Sequence, residues 1–532
     1  MATLPDVASP ENQEQDAGVA GEAMTTPATT SRRRFFTMGA AVATGAVATM
    51  AGAAMDAQPP KTRGKPLPPP IPVGGKPDAS VDWKDPVLRL VRRITMGLEP
   101  GEVALARSLG FAGYLEYQLN ADAIDDSDVD NIVAARFPFL SQGNVALRAQ
   151  DANEVFNQLA DAALHRAAYS KRQLKERMVE FWTDHFNILY DKVQTLKAVD
   201  DRDVIRTNAL GKFPTMLRAS AESPAMLLYL DQNSSRKPTP NQNYAREIME
   251  LHTLGVNGGY TQDDVAQLSR ILTGWTYNGT SFAFAFNRGF HDFTAKTFLG
   301  TTFPAMLASA TADQMKAEGD LAITMLVNHP STARFIATKM AKWLLAYDPP
   351  QSVIDATAAA YTSSGGDIKA MIRVILTGKN LMAAPAKYKR PFHLAASSMR
   401  ALGAETLNIR STRTRLDGMD QRPFYWEQPD GYPDRVNWWS GLVSSRWNWA
   451  TYISGRPLND ANIRVDSLGK FRSPADNADG VVAQINSRVF AGEMPYTLRN
   501  SLTAYLKAAT YTDARVRETI GLALSSNQFQ WY

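Results

Sequence analysis

The sequence predicts a mainly α protein: a large multi-helix globular domain with a small β-hairpin excursion and a loop-rich, aromatic C-terminal segment. Three observations carry this expectation. Apolar residues recur at helical spacing in one stretch after another beyond residue 82. Proline and glycine stand where those stretches start and stop. Strand-like alternation, by contrast, is confined to Ser281-Phe282-Ala283-Phe284-Ala285-Phe286. With 532 residues, 44% hydrophobic and 21% charged, the chain is long and apolar enough to build a sizeable core.

Residues 1–30 are polar and short of large apolar side chains, a composition expected to remain disordered. Residues 31–57 read as a signal peptide. Ser31-Arg32-Arg33-Arg34-Phe35-Phe36 precedes an Ala-, Gly- and Val-rich run ending near Met55, and Ala51-Gly52-Ala53 and Ala57 supply small-residue cleavage positions. Arg32 and Arg33 followed by phenylalanine match the twin-arginine pattern, so the expected partner during export is the twin-arginine translocase and the expected location periplasmic or extracellular. The apolar run lacks Leu and Ile, which makes it a poor membrane span. Residues 58–81 form a Pro-rich linker, with Pro59, Pro60, Pro66, Pro68, Pro69, Pro70 and Pro72, that cannot nucleate a helix.

The helical domain is expected over 82–532. Pro86 starts a helix carrying Val87, Leu90, Val91 and Ile94, and Gly97 stops it. Pro100 starts the next, with Val103, Ala106 and Leu109, before Gly110 separates it from 114–119. Further helices are expected at 153–169, 171–186, 198–209, 213–222, 224–230, 243–254 and 261–273, then at 312–328, 331–345, 350–363, 368–376 and 391–402. No fixed-period repeat points to a solenoid. No stretch after the signal is apolar enough to span a membrane.

Composition excludes several classes. A net charge of +4 without a concentrated basic stripe argues against nucleic-acid binding. The absence of cysteine excludes disulfides, thiolate-held iron–sulfur clusters and cysteine zinc sites. Gly-x-Ser-x-Gly, His-Glu-x-x-His, Gly-x-Gly-x-x-Gly and Walker patterns are all missing.

The candidate chemistry lies in three places. On the helix 243–254, Arg246 and Glu250 share a face at i, i+4, with Glu247 beside them, whereas His252 projects well around the wheel from Glu250. His291-Asp292, in a Gly-bounded loop near Lys296, sets an imidazole beside a carboxylate, the groups general acid–base chemistry uses. Glu247, Glu250, His291 and Asp292 are therefore the catalytic candidates, expected to share one cleft. Trp438, Trp439 and Arg446 are the ligand-binding candidates, within a cluster that includes Trp426, Tyr432, Trp447 and Trp449, since aromatic faces and arginine stack on flat ligand surfaces. Other features read as structural. The stripe Glu176, Glu180 and Asp184 is expected to be a solvated face, His185 a core residue, and His329 before Pro330 a capping or packing residue. Metal and cofactor are left unknown.

Several of these stretches, taken together, resemble the bacterial family known as domain of unknown function 1800. The central one runs Asn241-Gln242-Asn243-Tyr244-Ala245-Arg246-Glu247-Ile248-Met249-Glu250-Leu251-His252-Thr253-Leu254-Gly255. It is followed by Gly259-Tyr260-Thr261-Gln262-Asp263-Asp264 and Leu272-Thr273-Gly274-Trp275. Phe181-Trp182-Thr183-Asp184-His185-Phe186, Phe290-His291-Asp292, His329-Pro330-Ser331-Thr332-Ala333-Arg334 and Gln428-Pro429-Asp430-Gly431-Tyr432-Pro433 complete the likeness, which spans about residues 85–455. The resemblance implies an exported bacterial protein and assigns no activity. In relatives a histidine is pictured at the position of Thr183 and another near Arg89, so the resemblance carries no metal-ligand set over to this chain. The functional expectation is an envelope or extracellular enzyme performing acid–base or metal-assisted hydrolysis of a polymer. The alternative is a non-catalytic envelope protein that binds a polysaccharide or a co-exported protein.

Overall fold

The computed structural model describes residues 83–472 and 475–532. The expected signal peptide with Arg32 and Arg33, the segment before it and the Pro-rich linker lie outside the described residues. Within them the protein is mainly α, from the helix Pro86–Ile94 to Asn527–Gln530. Among the described residues no helix is long and apolar enough to cross a membrane.

Local chemistry sets the helix ends. Asp85 caps Pro86–Ile94 by accepting from the amides of Val87 and Leu88. Thr261 with Asp264, and Thr311 with Gln314, form capping boxes at Gln262–Ile271 and Ala312–Asn328. His329 Nδ1 accepts from the Ser331 amide and so caps Pro330–Leu344, in keeping with the capping role expected of it. Gly110, at φ +68°, breaks Pro100–Leu119 at the expected point, in a conformation that costs other residues strain.

Strand content is confined to three two-stranded antiparallel sheets among the described residues. The aromatic alternation supplies Phe284–Phe286, which pairs with Trp275–Tyr277 in the register Trp275↔Phe286. A second hairpin joins Lys296–Phe298 to Thr301–Phe303, and a third sheet joins Glu405–Thr406 to Ile463–Arg464. The C-terminal part is loop-rich mainly over 403–442. Beyond it the helices Val443–Ser454, Ala478–Phe490, Tyr496–Lys507 and Asp513–Ser525 carry apolar faces such as Val481, Val482, Ile485 and Val489.

Two large apolar clusters form the core. One gathers helices from Pro86–Ile94 to Gly378–Ala383 around Trp182, Phe186, Ile248 and Met340. The other surrounds Pro391–Leu402, all of whose residues are buried, with Ile453, Val482, Ile485, Ile520 and Leu524. A fully buried aliphatic side chain contributes about 1.5–3 kcal/mol, so this helix is held chiefly by burial.

Charge joins the two clusters. At the start of Pro391–Leu402, Arg390 reaches back to Gln173–His185 and pairs with Asp184 at 2.6 Å and Glu180 at 3.1 Å. Arg177 holds Glu180 from the other side at 2.8 Å and lies over the Trp343 ring. Removing one member of a buried pair strands the other charge. Arg390→Met is therefore expected to lower the unfolding free energy by about 3–5 kcal/mol, read from urea denaturation at neutral pH.

Candidate active site

Five chain segments converge beside the Arg390 pair. The helix Gln173–His185 presents opposite faces to two environments. Its acidic stripe, Glu176, Glu180 and Asp184, lines a cavity of about 70 Å³ together with Asp201, Arg206, Arg390 and Tyr432. This corrects the expectation of a solvated face. The stripe turns inward because arginines far along the chain neutralise it: Arg206 pairs with Glu176 at 2.5 Å, and Arg390 with the other two. Burial holds the Asp184 carboxyl up to about 6 against the pull of Arg390.

His185 faces the apolar side, as expected of a core residue. Its Nε2–H donates to the His252 carbonyl at 3.1 Å, and the two rings lie 6.0 Å apart. Burial first, and then the nearby Lys339 ammonium, push His252 down to about 3 and His185 well below its ordinary value. Both imidazoles are therefore neutral at physiological pH.

The segment 243–254 is not one α-helix. Asn243–Glu247 is α-helical, and Ile248–Thr253 continues it with π geometry, the Leu254 amide bonding to the Met249 carbonyl at 2.8 Å. The Asp200–Arg206 segment does the same where a continuous helix over 198–209 was expected. Such insertions often mark functional sites. Here they bring Asp201 and Arg206 to the cavity and set Glu247 and Glu250 outward while His252 turns into the core. Arg246 and Glu250 pair at 3.5 Å, the i, i+4 contact the spacing predicts.

The loop around Gln428-Pro429-Asp430-Gly431 packs against the C-terminal end of Gln173–His185 and brings Asp430 toward the 243–254 segment. Asn187 Nδ2 donates to the carbonyls of Trp426 and Gln428 at 2.9 and 2.7 Å, and the Tyr229 hydroxyl to that of Glu427 at 2.8 Å. Gly431, at φ +77°, packs so closely that a Cβ would stand 2.2 Å from the Asp184 carbonyl oxygen. Trp426 Nε1 donates to Asp430 Oδ1 at 2.9 Å and orients it. Asp430 thereby comes within electrostatic range of Glu247 and Lys339. Burial, then Glu250, and with them Asp430, hold the Glu247 carboxyl above its usual range. Burial lowers Lys339 to about 8, opposed by Asp184 and Asp430. Among the described residues its ammonium has no ion pair and lies 5.6 Å over the Phe335 ring.

The other sequence candidates separate. His291 and Asp292 do not join Glu247 and Glu250 by any hydrogen bond or ion pair among the described residues. His291 is fully buried, its Nδ1–H donating to the Thr273 carbonyl at 2.8 Å while Nε2 stands 3.2 Å from Glu318. Lys296, expected nearby, meets the same Glu318 at 2.5 Å. Asp292 points the other way. Burial would raise its carboxyl, but hydrogen bonds from Arg270 and Thr294 bring it down to about 2. The adjacent side chains of an extended segment diverge, and each found a structural partner.

The aromatic candidates also divide. Trp438 is 48% exposed, whereas Trp439 is 1% and Arg446 0% exposed. Trp439 donates to the Pro433 carbonyl at 2.8 Å, and Arg446 donates to Gln530 and Lys389 while stacking on Tyr388. Neither can reach a ligand. Trp438 can, and its ring stands 5.7 Å from that of Trp426, the residue that orients Asp430.

Sequence reasoning missed Asp430 and Lys339. Asp430 stood in a quoted motif and could have been found there, whereas nothing around Lys339 distinguishes it from a surface lysine. Among the described residues no three His, Asp or Glu side chains are arranged to hold a metal ion.

The fold and this crevice define a mainly α domain whose charged site is assembled from segments far apart in the chain. The chain belongs to the family described as a protein of unknown function, DUF1800, which it matches over residues 89–531. No match was found among curated proteins or among solved structures.

The buried imidazoles give the site a pH signature. Because the folded-state pKa of His252 lies near 3, below its ordinary 6.5, its contribution to stability is full above pH 6.5 and is lost as pH falls toward 3. Chemical denaturation between pH 7 and 4 is expected to show this loss, with a shallower slope in His252→Gln.

Proposed function

We propose that the protein is an exported hydrolase that cleaves an envelope or extracellular polysaccharide by general acid–base catalysis in the Glu247–Asp430 crevice. The feature that supports this reading is the presence of two carboxylates from distant motifs in unlike surroundings, Asp430 adding its charge to the field at Glu247. Glu247, held above the usual carboxylate range, suits the acid, while Asp430 is exposed and oriented by Trp426. Environments that separate two carboxyl groups are the usual means of dividing acid and base roles.

In this scheme the Glu247 carboxyl delivers its proton to the glycosidic oxygen as the carbon–oxygen bond breaks. Asp430 takes a proton from the attacking water, so the products carry the elements of that water. Lys339 steadies the Asp430 carboxylate, and Trp438 offers its exposed face to a sugar ring beside the reacting bond. Glu250, paired with Arg246, tunes Glu247 through its charge. His291 and Asp292 take no part.

The same exposed Trp438 supports a second reading, a non-catalytic protein that binds a polysaccharide or a co-exported partner at this crevice. Reducing-end release from a panel of envelope and extracellular polysaccharides, with pull-down on the same polymers, separates the two. The hydrolase reading expects release that falls about 10²–10⁴-fold in both Glu247→Gln and Asp430→Asn, with pull-down retained. Pull-down lost in Trp438→Ala without release from any polymer would leave the binding reading; release unaffected by both carboxylate variants would overturn the assignment.

We propose twin-arginine export on the sequence of residues 31–57. Replacing Arg32 and Arg33 together by lysine is expected to leave the protein in the cytoplasm, as read by fractionation and immunoblotting.

A further inference from the structure

A second cavity, of about 350 Å³, lies away from the crevice, between the helix Ala152–Tyr169 and the segment 406–409. Its volume falls in the range of small-molecule sites. The helix lines it with Glu154, Asn157, Gln158, Asp161 and His165, residues recurring at the i, i+3, i+4, i+7, i+11 spacing of one helical face. Arg136 and Phe137 form the facing wall with Asn408 at the rim.

The floor differs from the rim. His165 is only 4% exposed, and its Nε2 has no hydrogen-bond partner, although buried polar atoms are nearly always satisfied. Beside it Asp161 is fixed by Arg413 at 2.7 Å. Burial, reinforced by Arg136 and Arg166, lowers His165 to about 4, so its imidazole is neutral; burial raises Asp161 to about 6, and Arg413 already supplies its counter-charge. The Phe137 ring stands edge-on to His165 with centroids 6.5 Å apart. At the rim, Arg136 and Glu154 offer one charge of each sign.

We propose that this cavity is a binding site for a single saccharide unit, seated by its hydroxyl groups on Asp161, His165 and the Asn157 and Asn408 amides, with an apolar ring face toward Phe137. A sugar hydroxyl both donates and accepts, which matches a floor offering a carboxyl acceptor and an imidazole nitrogen side by side. The aromatic edge, the neutral imidazole and a carboxylate already matched by Arg413 favour such a ring over a free ion. The site shares no residue with the Glu247–Asp430 crevice and does not depend on the hydrolase reading.

Isothermal titration calorimetry of the purified protein with methyl glycosides of glucose, galactose, mannose and N-acetylglucosamine tests this. At least one is expected to bind saturably, with affinity falling at least tenfold in His165→Phe and in Asn157→Trp. Asn157→Trp fills the mouth from the half-buried side of the helix, so it decides the matter if His165→Phe fails to fold by circular dichroism. Four outcomes would overturn the proposal: no glycoside binding at all, binding that survives Asn157→Trp, binding lost only in Trp438→Ala, or tighter binding of acetate or glycine betaine that displaces the glycoside.

Discussion

Arg390 is shared between Glu180 and Asp184 in a place where few waters can reach it, and much of the architecture follows from that sharing. The residue begins a helix that is buried along its whole length, and the carboxylates stand on a helix of the other apolar cluster. Apolar packing alone is non-directional and would tolerate sliding of one cluster against the other. A two-pronged guanidinium contact is directional, and in a low-dielectric setting it penalises any arrangement that leaves a charge without its partner. The ring faces of Trp343 and Tyr432 lie on either side, at 5.1 and 6.0 Å, and complete the seat. Because Asp184 also receives the Tyr432 amide, at 3.3 Å, the same charge that joins the clusters also locates the loop that carries Asp430.

The crevice owes its form to departures from regular helix. Asp200–Arg206 lines the cavity beside Arg390, Ile248–Thr253 carries Glu250 and His252, and each π segment places side chains at angles that a continuous α-helix would not. In the second, an acidic residue and a histidine two positions apart serve separate ends. Glu250 stays toward solvent with Arg246, and His252 joins His185 inside. The buried imidazoles stay neutral because burial penalises their charged form, and the nearby Lys339 ammonium adds to that penalty. That lysine is itself kept partly discharged by burial, so the neighbourhood holds several titratable groups away from their ordinary ranges, a condition typical of working sites.

Much of the fold was legible in the sequence. Helix positions followed from apolar spacing and from caps such as Asp85, Thr261 and His329, because these act over one turn of chain. The aromatic run 281–286 announced a strand, although its partner Trp275–Tyr277 directly follows a helix and carries no strand signal of its own. The helices after Val443 were underestimated because tryptophans and tyrosines drew attention to loops. The site was legible only in part. Glu250 pairs with Arg246 as the helical spacing predicts, whereas His291 and Asp292 were grouped with Glu247 and Glu250 on residue type, and their partners Glu318 and Arg270 lie on other elements. The acidic stripe looked solvated because Arg206 and Arg390, which bury it, are distant in the chain. Long-range charge pairing leaves no trace in local periodicity, and π geometry has no compositional mark.

Gly431 and the Asp184 carbonyl meet backbone to backbone, with no side chain in the joint. A contact of that kind has nothing to titrate and nothing to rotate. The protein thus divides two duties between two materials: an uncharged main-chain contact limits how closely the loop approaches the helix, and the Asp184 carboxylate, through the Tyr432 amide and Arg390, holds it there.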